Sequence, residues 1–515
     1  MFRKKSLALI VFLVFALVIL SSCAPKIISF TPGTGAPGTD VTINGKRFKE
    51  DAADNTVKFG DTVATDIVSS STTKIIAKVP AGASTGLISV RTNRGTGYSA
   101  ENFIVPILGG AKWTLMVYLD ADNNLESAGI DDFLEMATVG SSSDVNIVVQ
   151  MDRTTGHDNT FGDWTGTRRF LINEDDTPDM APLSDLGEQN MGHPDTLRDF
   201  VVWAVENYPA EHYALSIWNH GDGWRNLIER SLMPRARAPE TPRGEETITL
   251  RTVATDAQDN DVLFMKEVQD ALEGAKSRLE ERGMTNVKLD VVGFDACLMG
   301  MVEVSYALRN VANYMVGSEW LEPGDGWPYD TILTELINTP TFDGSDLSSV
   351  IVTKYGLAYS SGITQASVDM TKLSDLISKI DAFAGAMNTE WAALKTARDN
   401  TITYHPYGDL WPSTWGVDLW HFADNVYNGV TSTTIKNAAQ AVKNAIDAFV
   451  TNEHHSSDKN GSHGVAIYFP PNKTKYENDP DHTAYLQTND VFPVDFVKLH
   501  NWDEFLIAFY NNTGT

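Results

Sequence analysis

The stretch Val291-Val-Gly-Phe-Asp-Ala-Cys-Leu-Met-Gly300 decides the fold class, because it joins a predicted strand to a predicted helix. Apolar residues over 287–292 follow the helix breaker Gly283 and predict the strand, and the pattern over 299–308 predicts the helix. Cys297 then lies on the turn at the carboxyl end of the strand, where open α/β sheets hold their sites. A helix N-terminus close to Cys297 would favour the thiolate, which is the nucleophilic form.

A second apolar strand is predicted upstream. It begins near Tyr213, ends in His220 and runs into the glycine-rich Gly221-Asp-Gly223. If the two strands are neighbours in one parallel sheet, His220 and Cys297 emerge at the same edge, as a nucleophile and its base require. The histidine precedes the cysteine by 77 positions, which is the caspase-like order and the reverse of the papain-like one.

Three ordered stretches resemble the signatures of the clostripain family of cysteine peptidases. They are Trp113-Thr-Leu-Met-Val-Tyr-Leu-Asp-Ala-Asp-Asn-Asn-Leu-Glu126, Trp218-Asn-His-Gly-Asp-Gly-Trp224 and Gly293-Phe-Asp-Ala-Cys-Leu-Met299. The likeness covers roughly 110–510. It implies an α/β, caspase-like fold with a mostly parallel sheet flanked by helices, and an endopeptidase that cuts protein or peptide substrates after arginine or lysine.

Length and composition set outer limits. The chain has 515 residues, so two or more domains are expected, and 42% hydrophobic with 21% charged residues is an ordinary globular composition. A formal net charge of −28 argues against nucleic acid as a partner, because the phosphate backbone would repel it. The charge is compatible with a surface protein that attracts cationic peptides.

The N-terminus predicts export and a lipid anchor. A basic start precedes an apolar run of 14 residues over 7–20, which is typical of a signal peptide and short for a bilayer crossing. Leu20-Ser-Ser-Cys23 resembles the bacterial lipobox, which implies cleavage before Cys23 and lipidation of that residue. The protein would then be anchored to the bacterial cell membrane or outer membrane, at the cell surface or in the periplasm. Residues 1–22 would be the lipoprotein signal peptide, and the alternative is an ordinary secretory signal that happens to contain a cysteine.

Cysteine usage points to the same residue as the strand pattern. The chain has two cysteines, Cys23 and Cys297, so a lipidated Cys23 leaves Cys297 without an intrachain disulfide partner. An unpaired cysteine in an exported protein indicates a reactive thiol. The alternative is a buried structural cysteine.

Residues 23–108 predict a small all-β sandwich. Val41 and Ile43 alternate with polar residues before an Asn44-Gly45 turn, and similar short strands follow between glycine and proline residues. Three stretches resemble an immunoglobulin-like domain of the IPT/TIG type: Ile27-Ile-Ser-Phe-Thr-Pro-Gly33, Val41-Thr-Ile-Asn-Gly45 and Val57-Lys-Phe-Gly60. A spacer role is favoured over a dedicated binding module, because no cluster of reactive residues occurs here.

Residues 109–515 predict one peptidase domain with a helical C-terminal part, in which strands and helices alternate. The acidic segment Asp120-Ala-Asp-Asn-Asn124 has the oxygen ligands of a calcium loop but lacks its sixth-position glycine, so a cap for the helix through Ala137 is favoured. No metal ligand is assigned and no cofactor is required. Calcium stays possible because calcium dependence occurs in the family that the chain resembles.

An arginine-rich loop is predicted over 226–251, between the histidine and the cysteine. In the family that the chain resembles, an internal linker is cut next to a basic residue and the pieces stay associated. That likeness predicts self-processing within 230–243, and the alternative is a merely solvated loop. The candidate residues are Arg230, Arg235, Arg237 and Arg243.

The resemblance also implies roles for individual residues in stabilising the oxyanion and in selecting the substrate. The backbone N–H groups of Gly221 and Cys297 would stabilise the oxyanion, as in caspase-like enzymes. In the clostripain family, acidic residues matching Asp295 and Asp325 select arginine or lysine, and a guanidinium suits a carboxylate. The alternatives are a capping residue for Asp295 and a turn residue for Asp325.

The C-terminal part offers weaker signals. Apolar residues at helical spacing predict a long helix over 435–449, and the apolar stretch 464–469 could complete the sheet. His454, His455 and His463 form no convincing ligand set. The competing function is a catalytically silent surface adhesin on a peptidase-like fold, against which the intact histidine and cysteine weigh.

Overall fold

The computed structural model describes residues 24–514 except 36–37, 61, 81–82, 84–85, 104, 106–109, 226–252, 260, 283, 285–286, 407–414 and 489–493. The chain divides into two compact units. The first contains the described residues of 1–110 together with 205–209 and 277–287. The second contains the described residues of 111–204, 210–276 and 288–515.

The N-terminal segment is an antiparallel β structure of two four-stranded sheets. Its strands are β1 (Lys26–Thr31), β2 (Asp40–Lys46), β3 (Thr56–Phe59), β4 (Thr62–Val63), β5 (Ile67–Ser70), β6 (Lys74–Lys78), β7 (Gly86–Thr92) and β8 (Gly95–Phe103). One sheet has the order β1-β2-β6-β5 and the other β4-β3-β7-β8. Val41 and Ile43 are fully buried, as their alternation predicts.

The predicted turn at Asn44-Gly45 is wrong, because both residues lie inside β2. Gly45 pairs with Ile27 next to an irregularity in the β1–β2 register. A Cβ on Gly45 would lie 2.3 Å from the Lys26 carbonyl oxygen and 2.3 Å from the Phe48 ring. Glycine is required here by the close approach of a neighbouring strand rather than by a turn.

The second unit is built on a nine-stranded sheet. Its strands and those of the smaller sheets are β9 (Ala111–Ala121), β10 (Val145–Arg153), β11 (Gly166–Leu171), β12 (Ser184–Gly187), β13 (Ala210–Trp218), β14 (Ala254–Asp256), β15 (Asp261–Leu263), β16 (Leu289–Asp295), β17 (Ala312–Gly317), β18 (Thr364–Asp369), β19 (Thr403–Tyr404), β20 (Gly416–Asp418), β21 (Val450–His455) and β22 (Ala466–Tyr468). The large sheet has the order β12-β11-β10-β9-β13-β16-β17-β18-β21. The run from β10 to β17 is parallel and both flanks are antiparallel, which confirms the α/β class.

Helices flank this sheet. They are α1 (Glu126–Val139), α2 (Pro194–Asn207), α3 (Met265–Glu281), α4 (Val302–Leu308), α5 (Tyr329–Asn338), α6 (Gly344–Ala358), α7 (Leu373–Ala386), α8 (Trp391–Asp399), α9 (Leu419–Gly429), α10 (Thr433–Phe449), α11 (Lys473–Glu477), α12 (Asp495–Leu499) and α13 (Trp502–Thr513). The predicted helix over 435–449 is confirmed by α10. Within the described part of the chain, no helix is both long and apolar enough to cross a bilayer.

The stretch 464–469 does not complete the large sheet, so that expectation is wrong. Its strand β22 pairs with β20, and β20 pairs with β19, in a separate antiparallel sheet. An apolar run indicates that a strand is buried on both faces but carries no information about its partner. One backbone bond, from the Ala466 N–H to the Gly300 carbonyl at 2.8 Å, links β22 to the segment after Cys297.

A buried cluster of side-chain ion pairs follows the glycine-rich segment after β13. The Arg225 side chain is 2% exposed and contacts the carboxylates of Asp222 (3.2 Å), Asp479 (2.9 Å) and Asp481 (2.8 Å). The contacts to Asp479 and Asp481 reach about 250 residues along the sequence. The cluster therefore holds the segment after His220 to the C-terminal part of the second unit.

We predict that Arg225→Ala lowers the free energy of unfolding by about 3–5 kcal/mol, because it leaves buried carboxylates without their cation. Arg198→Ala is the control, since its ion pairs are partly exposed and are worth about 1 kcal/mol or less. Urea unfolding followed by tryptophan fluorescence measures both variants. All twelve tryptophans lie after residue 112, so the signal reports the second unit. An Arg225→Ala protein as stable as Arg198→Ala would contradict the prediction.

Candidate active site

His220 and Cys297 follow the ends of two neighbouring parallel strands. Strands β13 and β16 pair in a register that sets Trp218 opposite Asp295. His220 and Cys297 are each two residues further along. The Asn219 N–H donates to the Asp295 carbonyl at 3.3 Å, so the chains stay adjacent beyond the last paired residues. The structure thus brings the two predicted residues to the same edge of the sheet.

Gly221 shows how closely the two strand ends approach. A Cβ at this position would lie 2.2 Å from the Cys297 carbonyl oxygen and 2.9 Å from the Cys297 nitrogen. Such contacts with backbone atoms cannot be relieved by rotating a side chain. The contact therefore requires glycine directly after His220 and leaves the two backbones touching.

Cys297 is half-buried and lies on a strained turn. Leu298, the next residue, has φ 65°, a left-handed conformation that is uncommon for a residue other than glycine. The Glu322 N–H donates to the Cys297 sulfur at 3.3 Å. The Cys297 sulfur in turn lies 4.0 Å from the Glu322 carbonyl oxygen, to which a thiol donates. The turn and these contacts hold the sulfur beside the loop that leaves β17.

The sequence predicts a helix N-terminus close to Cys297, and this prediction is wrong. Helix α4 begins at Val302, five residues after Cys297, and has only seven residues. The field of a helix N-terminus falls off within the first turn. The backbone N–H that contacts the sulfur belongs to Glu322 and not to the helix.

Asn124 orients the imidazole of His220. The His220 Nε2 lies 2.9 Å from Asn124 Oδ1, which is a hydrogen-bond acceptor. The neighbouring Asn219 is held in turn, because its amide donates to the Asp120 carboxylate at 2.8 Å. Helix α1 has Leu125 at its N-cap without a side-chain cap bond, and Asn123 Oδ1 accepts the Leu125 N–H at 2.8 Å just before the helix. The segment 120–124 therefore contacts the start of the helix and also supports the histidine.

Asp295 is buried beneath the loop that leaves β17. The Trp327 N–H donates to Asp295 Oδ2 at 3.1 Å. Gly326 lies against the same carboxylate, and a Cβ there would be 3.0 Å from Oδ2. Burial raises the pKa of Asp295 to about 6, partly offset by the hydrogen bonds it accepts from Trp327, Glu322 and Tyr329. Asp295 is therefore ionised at neutral pH.

Two further carboxyls surround Asp295. Burial, together with the nearby charge of Asp295, raises the pKa of Glu322 well above its ordinary range, and Glu322 shares a hydrogen bond with Asp295. Burial and the same charge also raise the pKa of Asp132. The raised pKa values of Glu322 and Asp132 favour their protonated forms beside Asp295.

Asp325, the second predicted specificity residue, is exposed on the same loop between Gly324 and Gly326. Its charge acts on Tyr359, and the Tyr359 hydroxyl donates to the Gly326 carbonyl at 2.6 Å. The pKa of Tyr359 is raised above its ordinary value, first by burial and then by Asp295 and Asp325. Asp325 thus places a negative charge on the exposed part of the loop after β17, whereas Asp295 is buried beneath that loop.

The sequence analysis missed Asn124, Glu322 and Asp132. Asn124 lies in the acidic segment that was interpreted as a cap, and Glu322 lies in the loop after β17. Their roles depend on contacts with residues about a hundred or more positions away or in another element, which no local pattern carries. Asp132 lies on the buried face of α1 beside Phe133, and a carboxylate among apolar residues was the one available signal.

A second carboxylate group lies at the same edge of the sheet. Asp122, Asp152, Glu188 and Asp256 each offer an oxygen, and these atoms lie within 4.8 Å of one another. Three of the four are buried and Glu188 is exposed. These residues could hold a hard cation, whereas the sequence analysis assigned no metal ligand.

Several predicted residues lie outside the described residues. They are the lipidation candidate Cys23 and the processing candidates Arg230, Arg235, Arg237 and Arg243.

A cysteine and a histidine at adjacent ends of parallel strands, on a caspase-like α/β sheet, are the arrangement that thiol hydrolases use. The sequence model of the clostripain family matches residues 117–508, and that of the IPT/TIG domain matches 25–105. The chain belongs to the clostripain family of cysteine peptidases, and its N-terminal segment is an IPT/TIG domain.

Relatives agree with this assignment. Clostripain from Hathewaya histolytica is 31% identical over 245 residues, which are 44% of this chain and 42% of that protein. The chain thus matches less than half the length of this curated relative. A secreted C11 cysteine protease from Bacteroides thetaiotaomicron, solved with an irreversible peptide inhibitor, superposes with a TM-score of 0.53 at 20% identity and covers 76% of this chain and 100% of that one. The secreted C11 protease of the same organism called iotapain gives 0.51 at 16% identity over 70% and 93%. These two likenesses support the fold.

Proposed function

We propose that the chain is an exported, lipid-anchored cysteine endopeptidase that cleaves after arginine or lysine. The register of β13 and β16 carries this proposal, because it aligns the residues that follow the two strands. His220, Cys297 and the buried Asp295 then belong to one edge of the sheet. Membership in a family of cysteine peptidases supports the reaction class.

The reaction is amide hydrolysis through an acyl-enzyme. The Cys297 thiolate attacks the scissile carbonyl carbon, and the imidazolium of His220 gives its proton to the leaving amine. Because Nε2 of His220 is bonded to Asn124, the proton is exchanged at Nδ1. Water then attacks the thioester, passing its proton to His220, and releases the acid and the thiolate. These steps require no cofactor.

The oxyanion is stabilised by the backbone N–H groups of Gly221 and Cys297. This assignment is supported by the close contact between the backbones of residues 221 and 297 at the two strand ends, which only a glycine at position 221 permits. One donor of this kind is worth about 3–4 kcal/mol of transition-state stabilisation.

Specificity for a basic side chain comes from Asp295. A cationic side chain that reaches Asp295 beneath the loop after β17 meets its carboxylate, beside Glu322 and Asp132, whose pKa values are raised by burial and by the Asp295 charge. Arginine pairs with a carboxylate through two parallel bonds. Asp325, which is exposed on the same loop, adds a second negative charge that attracts a cationic side chain.

Export and anchoring rest on the N-terminal sequence. Related C11 proteases from Bacteroides thetaiotaomicron are described as secreted, which supports export. Lipidation of Cys23 would hold the enzyme at a membrane, with the IPT/TIG domain as a spacer.

Self-processing within 230–243 is part of the proposal. The segment lies between β13 and β16, which are neighbours in one sheet. A cut there would leave both pieces in the same core, so they would stay associated.

We predict that the wild-type chain is recovered as two associated fragments and that Cys297→Ala is recovered as one chain, because the cut needs the thiolate. Denaturing gels and intact mass spectrometry measure this. A protein with Arg230, Arg235, Arg237 and Arg243 all changed to alanine is the matched control, which stays uncut yet reacts at Cys297 with an arginyl peptide bearing a thiol-reactive ketone.

Two results would count against the scheme. Cys297→Ala appearing as the same two fragments would exclude self-processing. Failure of the wild-type protein to react with the arginyl ketone would favour the catalytically silent adhesin.

We predict that Asp295→Asn lowers the preference for arginine over its neutral isostere citrulline by at least about thirtyfold. Truncating one partner of a buried charge pair costs about 2–5 kcal/mol, and each 1.4 kcal/mol is tenfold. The measurement is the ratio of kcat/KM for peptides that differ only in arginine or citrulline. Glu322→Gln is the control, because Gln keeps the size of Glu322 and can still donate a hydrogen bond to Asp295, so it should keep the ratio within about threefold.

The pH dependence of the arginine-to-citrulline ratio tests whether the charge of Asp295 sets the preference. The raised pKa of Asp295, about 6, means that the carboxylate is neutral below this pH and charged above it. The arginine-to-citrulline ratio of the wild type therefore rises as pH passes from about 5 to 7, while ionisation of the catalytic pair cancels in the ratio. A ratio that is flat in pH, or unchanged in Asp295→Asn, would remove Asp295 from the specificity site.

A further inference from the structure

Positive charge is unevenly distributed along this acidic chain. Residues 24–105 contain nine lysines and arginines against seven aspartates and glutamates, whereas the whole chain has a formal net charge of −28. The IPT/TIG segment is therefore slightly cationic, and the rest of the chain carries the negative charge. Such an asymmetry within one chain indicates that the cationic part contacts an anionic partner.

Most cations of this segment lie at one end of the β-sandwich. Antiparallel pairing sets Lys26, at the start of β1, opposite Lys46, at the end of β2. Lys74 begins β6, which pairs with β2 and starts at the same end. In the other sheet, Arg91 lies near the end of β7, and Arg94 lies in the turn before β8. Seven residues form what we call the basic end: Lys26, Lys46, Arg47, Lys49, Lys74, Arg91 and Arg94.

One side-chain contact and one strand pairing show that the two sheets share this end. The Asn55 amide, just before β3, donates to the Ser70 hydroxyl at the end of β5 at 3.1 Å. Strand β3 then begins opposite Arg91, because Thr56 pairs with this residue. The β7–β8 turn of one sheet and the β5–β6 turn of the other therefore lie at the same end of the sandwich.

The basic end carries a surplus of positive charge. Six of its seven side chains are exposed, and Lys49 is half-buried. Among the described residues, no ion pair involves any of the seven. Glu50, Asp51 and Asp54 lie in the loop before β3 at the same end, so a formal surplus of four positive charges remains.

The opposite end of the sandwich differs in its charge and in its packing. Asp40 begins β2 there and pairs with Lys78 at 2.6 Å. Gly33 follows β1, and a Cβ on it would lie 2.6 Å from the Arg282 carbonyl oxygen, within the same compact unit. Charge is therefore balanced at this end, which packs against the chain, and is in surplus at the basic end.

The first described residue, Ala24, lies at the basic end. The Arg47 guanidinium donates to the Ala24 carbonyl at 3.0 Å, and a Cβ on Gly95 would lie 3.0 Å from the Ala24 side chain. Cys23, the predicted lipidation residue, directly precedes Ala24, and one residue spans at most about 3.6 Å. Charges act in physiological salt over a Debye length of about 8 Å. A lipid on Cys23 would thus bring the basic end within electrostatic reach of the headgroups.

Two exposed apolar side chains lie near the same end. Ile28 of β1 is 57% exposed, and Tyr98 of β8 is 62% exposed. Ile28 is two positions after Lys26, and Tyr98 is three positions after Gly95. Aliphatic and aromatic side chains beside lysine and arginine are typical of protein surfaces that lie in the membrane interface.

We propose that the basic end of the IPT/TIG domain binds the anionic phospholipid headgroups of the membrane that holds Cys23. Headgroups are favoured over a dissolved anion because the predicted anchor brings this end to the bilayer surface. The acidic remainder of the chain is repelled by the same surface. The acyl chains would then hold the protein, and the basic end would orient it. This orientation rests on the proposed function, because it needs the anchor, whereas the affinity of the basic end for headgroups does not.

The test uses residues 24–515 without a lipid, because an acyl chain would hold any variant on vesicles. We expect this protein to sediment with phosphatidylcholine vesicles that contain about one third phosphatidylglycerol, and not with phosphatidylcholine alone. Raising the salt from about 50 to about 500 mM should release it, because salt screens the attraction. Arg91→Ala combined with Arg94→Ala should lower the partition coefficient at least about tenfold, since each cation near such a surface contributes about 1 kcal/mol and 1.4 kcal/mol is tenfold.

A second double variant is the matched control. Lys372→Ala combined with Lys379→Ala removes the same two charges from the second unit, so it should bind the anionic vesicles as the wild type does. The four side chains changed in the two variants are exposed or half-exposed, so both variants keep the core.

Three results would overturn the proposal. The first is equal binding to neutral and anionic vesicles, or binding to neither. The second is an equal loss of binding in the two double variants, which would reflect only the net charge of the chain. The third is tighter binding to dissolved polygalacturonate than to the vesicles at equal charge concentration, which would favour an anionic polysaccharide as the partner.

The outcomes also separate this proposal from the proposed function. Mass spectrometry of the protein exported by a bacterial host shows whether Cys23 carries a lipid. If the vesicles bind the chain but Cys23 has no lipid, the basic end stands and the anchoring part of the proposed function fails. If Cys23 has a lipid but residues 24–515 do not bind the anionic vesicles, the anchor stands and the basic end fails.

Discussion

The register between β13 and β16 is the constraint on which the candidate site depends. It sets Trp218 opposite Asp295, so the residues that follow each strand leave the sheet side by side. A slip of one residue would turn every side chain of the strand to the other face, and His220 would no longer accompany Cys297. The register is secured from both sides. The Trp327 ring packs against Gly293, where a Cβ would lie 2.3 Å from it, and Gly221 contacts Cys297.

An acidic chain places carboxyls in its interior at two points of one sheet edge, and the two groups differ in how their charge is reduced. Around Asp295, burial and the Asp295 charge raise the pKa of the neighbouring carboxyls, and Asp295 accepts hydrogen bonds from the Trp327 N–H and from the side chains of Glu322 and Tyr329. Around Asp122 the donors are hydroxyl and backbone groups, and unsatisfied oxygens persist. The first group surrounds its central carboxylate with donors, whereas the second keeps buried oxygens that no donor among the described residues reaches.

Much of the architecture could be predicted from the sequence because its signals are local. Strand ends marked by apolar runs and glycine turns located His220 and Cys297, and alternation in the N-terminal segment identified buried faces. The predictions that failed concerned which strands pair and which side chains contact one another. The run 464–469 is a strand, but pairing with a different sheet depends on side chains distant in sequence. Asn124 and Glu322 have their roles only once β9, β13 and β17 are adjacent, so no spacing rule could assign them.

The topology explains why the segment 120–124 serves both groups. Strand β9 lies between β10 and β13, so the chain that leaves its carboxyl end passes between Asp152 on one side and His220 on the other. A residue from β16 or β17 would have to cross β13 to reach the acidic group, and a residue from β11 would have to cross β9 to reach the imidazole. The loop after the central strand therefore lies within reach of both neighbours. Asp122 belongs to the acidic group and Asn124, two positions further on, contacts the His220 imidazole, so one short segment has both roles because β9 lies between β10 and β13.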